Sequence, residues 1–208
     1  LLRYAKILMK KNKIESPLKV AIVTDLDIAQ YRANDGSIKT KKRRQTGLIP
    51  DIEDEKQSLT AEFNTNDNNM KVYSSPLWTL EYDLAKSQLS SYLNQAIRIA
   101  QLSKSRISKR NYKGIKREEF IKYCSMADKE LAILKESSTS DIDKIAFAIY
   151  DKLFSKKASK AVAAQWLSEI LLQNKDIVKP ILESDLQINY LKEAIYHVTE
   201  NPNDSNNT

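Results

Sequence analysis

The sequence predicts an α/β fold, a parallel sheet with acids at the C-terminal ends of its strands, followed by a helical region. Three observations carry this. An apolar, β-branched run at residues 20–23 ends in Thr24, Asp25, Leu26 and Asp27. A second strand candidate at residues 70–75 is closed by Pro76 and leads into a segment with helical periodicity. From Glu119 onward the periodicity is helical throughout.

Each element follows from its own residues. Leu2, Ala5, Ile7, Leu8 and Met9 give residues 1–13 one apolar face, and Lys10, Lys11 and Lys13 suit a helix C-terminus. Residues 20–23 read as a central strand buried on both faces. Residues 29–70 show little periodicity. They hold a basic run, Lys39, Lys41, Lys42, Arg43 and Arg44, and an acidic run, Asp51, Glu53, Asp54 and Glu55, with a short helix expected at residues 55–63. A long polar segment of this kind inside a domain is usually functional or mobile.

After the strand at residues 70–75, residues 77–104 read as one amphipathic helix with a stripe of Leu80, Leu84, Leu89, Leu93, Ile97 and Leu102. Tyr73, Trp78 and Tyr82 are expected in or near the core. Residues 103–117 are basic and turn-like. Helices are predicted at 119–134, 140–153, 159–174, 179–184 and 188–199. Ser140 and Asp143 form a capping-box pattern, and Pro180 is placed in a first helical turn. Residues 201–208 are polar and expected to fray. No internal repeat is visible.

Composition narrows the function. The chain has 208 residues, and its 41% apolar content is that of an ordinary globular domain. No apolar run is long enough to cross a bilayer. The single cysteine, Cys124, excludes an internal disulfide framework, fits a reducing cytoplasm, and reads as a buried structural thiol. The single histidine, His197, excludes a His-rich zinc site. Any metal chemistry would then rest on carboxylates, which favour Mg, Mn or Ca. A net charge of +7 favours an anionic partner, nucleic acid being the commonest.

Two acidic pairs stand out. Asp25 and Asp27 point to the same side if the strand continues, and can reach one cation. The bland alternative is that they cap a helix or tether arginines. A phosphotransferase with Asp25 as nucleophile expects a Thr after the pair, where this chain has Ile28. Glu81 and Asp83 open the helix after the second strand, where acids also complement the helix dipole. If the two strands are neighbours, four carboxylates approach one sheet edge. Divalent metal is the usual resolution of that repulsion.

The run VAIVTDLD, followed by SSPLWTLEYDLA, resembles the TOPRIM domain of the OLD (overcoming lysogenisation defect) family of nucleases. The resemblance covers about residues 1–170. It implies a partial TOPRIM-like parallel sheet with the family's first strand missing. Residues 1–102 would form the nuclease core, residues 103–200 a helical region completing the active site, and residues 201–208 a tail.

It further implies two Mg²⁺ or Mn²⁺ ions, roughly 4 Å apart in such sites. Asp25 would bridge them, Asp27 and Glu81 would complete the sites, and Asp83 would be a secondary ligand. The family's functional lysine maps to Lys160 in SKAVAAQWLSEIL, with Lys157 and Lys113 as alternatives; Ala161 stands where the family more often has Gly.

The family's N-terminal ATPase has no counterpart here, because no Walker A loop is present. With Leu1 as the first residue, the expectation is the C-terminal part of a longer ATP-dependent endonuclease. Its partner would be DNA. Homo-oligomerisation would run through the ATPase, and a helper protein in antiphage defence is a further possibility. The fragment alone is expected to be weak or inactive. The competing readings are a non-catalytic nucleic-acid or partner-binding module, and a TOPRIM protein of topoisomerase or primase type.

Overall fold

The computed structural model describes residues 19–25, 30–32, 38–40, 49–50, 70–107, 114–138, 141–155 and 157–199. The helices expected at 1–13 and 55–63, and the tail at 201–208, lie outside the described residues. So do Asp27, Lys113, residues 41–44 of the first basic run, and the middle of the second.

Strands β1 (Val20–Thr24) and β5 (Met70–Ser74) pair in parallel, with Val20 opposite Met70 and Thr24 opposite Ser74. The Ser75 amide continues the ladder by donating to the Thr24 carbonyl at 3.0 Å. Both expected strands are therefore present, and they are neighbours. Burial on both faces is not borne out, since Val23 is 46% exposed. The connection between β1 and β5 is aperiodic in sequence. Its described residues hold three short strands, β2 (Gln30–Arg32), β3 (Ile38–Thr40) and β4 (Ile49–Pro50), in an antiparallel sheet of order β3-β2-β4.

The helices are α1 (Leu80–Lys86), α2 (Ser90–Ile107), α3 (Arg117–Ser137), α4 (Ile142–Phe154), α5 (Lys160–Gln173), α6 (Lys175–Ser184) and α7 (Asn189–Thr199). Helix α2 is the hub and packs against α3, α4 and α5. Its Ala96 and Ala100 are small enough to admit close neighbours, and Ile97 and Ile99 are fully buried. Each of those isoleucines contributes about 2 kcal/mol by leaving water. Trp78, Tyr82 and Tyr150 form an aromatic cluster with centroid separations of 4.9–6.0 Å, which puts Trp78 and Tyr82 in the core as expected. Helix α7 lies on β1 and β5. Among the described residues no helix is long and apolar enough to cross a membrane.

Four details depart from the sequence reading. The helix expected over 77–104 is two helices, broken at Ser87. Ser87 Oγ donates to the Leu84 carbonyl and accepts from the Leu89 amide, while Asp185 Oδ2 takes the Gln88 amide at 2.7 Å. The segment expected to be turn-like from Ser103 is still helical to Ile107.

The cap of α4 is Asp141, whose Oδ1 accepts from the amides of Asp143 and Lys144; Ser140 lies outside the described residues. Asp143 instead receives the Tyr82 hydroxyl and Lys86. Pro180 lies inside α6 rather than in its first turn, because the helix restarts at Lys175, directly after Asn174. Its neighbours Val178 and Ile181 pack with Leu89 and Ile188, and that burial holds the helix through the proline.

Candidate functional site

The parallel pairing of β1 and β5 sets Asp25, just past β1, beside the start of α1, just past β5. Asp25 Oδ1 accepts the Leu80 amide at 2.9 Å. The Tyr82 amide is taken by Thr79 Oγ1, the N-cap. Asp25 thus satisfies a first-turn donor that α1 cannot satisfy itself, and its charge faces the positive end of the helix.

Glu81 and Asp83, two residues apart, do different things. Asp83 is fully buried, and its Oδ2 receives the Ser75 hydroxyl. Ser75 Oγ also accepts the Trp78 amide at 3.0 Å, fixing the turn between β5 and α1. Glu81 is on the open side. Its Oε1 lies 2.7 Å from Lys160 Nζ, while its Oε2 is buried and accepts no hydrogen bond among the described residues.

Lys160 is the first residue of α5, where a cation opposes the helix dipole. The Glu81 carboxylate offsets that. Of the two candidate lysines among the described residues, Lys160 is the one paired with Glu81. Lys157 pairs with Asp151 at 3.7 Å, and Lys113 lies outside the described residues.

Tyr190, in the first turn of α7, was not anticipated. Its hydroxyl is buried and has no hydrogen-bond partner among the described residues. Burial first, then the negative charges of Asp83, Asp25 and Glu81, hold its ionisation well above the ordinary phenol range. The phenol therefore senses all three carboxylates. Nothing in INYLKE marks the residue; only the docking of α7 on β1 and β5 brings it here.

The two other titratable residues singled out earlier stand apart. Cys124 is half-buried on α3, and burial, with Asp128 nearby, raises its thiol pKa to about 11. His197 packs its ring 6.1 Å from that of Tyr73.

Among the described residues, no group of three or more His, Cys, Asp and Glu side chains is arranged to hold a metal ion. Asp27, the fourth expected ligand, is not among them. The donors that are described fit a hard cation in kind. They are carboxylate oxygens, and Glu81 Oε2 is a buried acceptor with no donor, a group that ordinarily has a partner. Comparison of the chain with family models, with curated proteins and with solved structures returns no match.

Proposed function

We propose that this chain is the nuclease part of an OLD-like, metal-dependent DNA endonuclease. One observation carries the reading: across the ends of two parallel strands, Asp25 is held on the first turn of α1 while Glu81 of that same turn is paired with Lys160. Acids at the carboxyl edge of a parallel sheet, with a lysine delivered from a distant helix, suit phosphodiester hydrolysis.

In this reading Asp25, Asp27 and Glu81 would hold Mg²⁺ or Mn²⁺. The ion would supply an activated water and charge neutralisation at the scissile phosphate. Lys160, a compact cation half-exposed to solvent, stabilises the negative charge that builds on the phosphate oxygens. Asp83 is enclosed and held by Ser75, so its part is to fix the first turn of α1. The basic stretches of the sequence would contact DNA phosphates.

Tyrosyl transfer of the topoisomerase kind is disfavoured at Tyr190, because burial, and then the neighbouring carboxylates, make its phenolate costly. A binding module remains the second reading, favoured by the Asp25–Leu80 bond, which a helix cap alone would explain.

The deciding experiment is plasmid cleavage by the full-length protein in Mg²⁺ or Mn²⁺, beside its Asp25→Ala variant. Cleavage that vanishes in the variant supports the nuclease. Equal cleavage in both, or none from the folded protein with either metal, leaves the binding module as the better account.

A further inference from the structure

Helices α3 and α5 both pack on α2, and residues of all three line an open cleft of about 1110 Å³. That size is at the upper end of ligand pockets and has room for a stretch of chain. Phe120 of α3 and Trp166 of α5 form part of its wall, with ring centroids 5.7 Å apart and planes tilted by 37°. Both rings are only partly buried against the core. Aromatic surface left in contact with water at a cleft is surface that a ligand can cover.

The polar lining residues carry opposite charges on the two helices. Arg117 is exposed in the first turn of α3, and Glu169 is exposed on α5, where its Oε1 accepts from Gln173 Nε2 at 2.8 Å. Arg117 also ends the basic stretch of sequence that starts at Lys104. A nucleotide matches this set. It offers a phosphate to the guanidinium, a π-face to the rings and, in cytosine or adenine, an amino group to the carboxylate. A simple anion gains nothing from Glu169, and an apolar helix would bury both charges at a cost.

We propose that this cleft binds unpaired nucleotides of single-stranded DNA: Trp166 and Phe120 stack on the bases, Arg117 holds a phosphate and Glu169 accepts from base amino groups. Resting on the nuclease reading above, this makes the substrate a DNA with an unpaired segment beside the acidic centre. Trp166 belongs to the helix whose first residue, Lys160, pairs with Glu81. At a rise of about 1.5 Å per residue, Trp166 and Lys160 lie roughly 9 Å apart along α5. That is about three stacked nucleotides of one strand. The two residues point to different sides of α5. Around its exposed side the residues between them are Gln165, Ala161 and Ala164, and the two alanines leave that surface low.

The test uses the full chain in EDTA, where metal-dependent cleavage cannot occur. The probes are a single DNA strand of mixed sequence and the blunt duplex made from it. The chain has two tryptophans, and Trp78 is 5% exposed, so quenching of tryptophan emission by the strand reports on Trp166. Anisotropy of the labelled strand gives the affinity of wild type, Trp166→Leu and Arg117→Gln, and melting curves show that each is folded. Loss of one stacking platform should weaken strand binding about 5- to 150-fold and leave duplex binding unchanged. Arg117→Gln, a change at an exposed helix start, should weaken the strand and lower the slope of log affinity against log salt by about 1. It decides the matter if Trp166→Leu does not fold.

Quenching by the strand and not by the duplex, with weaker binding in the folded variants, supports the single-strand site. Strand binding without quenching overturns it, as do equal quenching by the duplex, unchanged affinity in the folded variants, and no strand binding at low salt. Emission that changes with protein concentration and ignores DNA makes the cleft a surface for a second copy, and overturns it too. Quenching without plasmid cleavage in Mg²⁺ or Mn²⁺ sinks the nuclease while the single-strand site stands; cleavage without quenching does the reverse.

Discussion

Lys160 Nζ and Glu81 Oε1 lie 2.7 Å apart, joining the first turn of α5 to the first turn of α1. The pair is half-open to water on the lysine side, and exposed ion pairs of this kind contribute at most about 1 kcal/mol to stability. Its value therefore lies in where it puts a positive charge. Replacing Lys160 with Ala should leave the melting temperature nearly unchanged while lowering the cleavage rate on the order of a hundredfold, in line with removal of one group that stabilises transition-state charge. The measurement is kcat for cleavage beside a melting curve. A large fall in Tm with unchanged kcat would make Lys160 a structural residue.

Asp185 should be the most consequential acid for folding. It is 6% exposed, and its two oxygens take the amides of Gln88 and Gln187, tying the α1–α2 break to the α6–α7 turn. Asp185→Ala removes the charged acceptor of both part-buried amides and should cost about 2–3 kcal/mol in urea unfolding. Asp185→Asn keeps an acceptor oxygen and should recover part of that.

Tyr82 is fully buried, yet its hydroxyl reaches Asp143 at 2.8 Å, where Lys86 also binds at 3.0 Å. Tyr82→Phe keeps the aromatic packing against Trp78 and Tyr150 and loses one hydrogen bond to a charged group. The expected cost is about 1.5 kcal/mol, read from the denaturant midpoint with an unchanged slope.

Cys124 should be a slow thiol. With its pKa raised from 9.0 to about 11 by burial and by Asp128, its thiolate fraction at pH 8 is about a hundredfold below that of an unperturbed cysteine. Alkylation by iodoacetamide should be slower by a similar factor in the folded protein. The linked effect on stability has a definite sign. The stability that comes from keeping this thiol neutral is present in full below pH 9, because both states then hold the proton. It declines as the unfolded chain ionises and is lost by about pH 11. Cys124→Ser should flatten that part of the alkaline stability curve.

The amino-acid sequence by itself determined the two parallel strands, the acids at their ends, and the positions of most helices. These are local signals: β-branched runs, a proline after a strand, and a 3.6-residue apolar period. It also singled out Lys160, though with Lys157 and Lys113 still open beside it.

Tertiary structure decided the rest. The stripe from Leu80 to Leu102 is continuous in sequence, and only Asp185, 97 residues from the Gln88 amide it takes, shows why the helix breaks at Ser87. Pro180 sits inside a helix because Val178 is buried, and Ile181 partly buried, against Leu89 and Ile188. The division of labour between Glu81 and Asp83 depends on which side of α1 faces Ser75 and which faces α5. Tyr190 carries no local mark at all. Its place comes from the packing of the last described helix on the first described strand, a contact between opposite ends of the described chain that periodicity, a property of neighbours, does not encode.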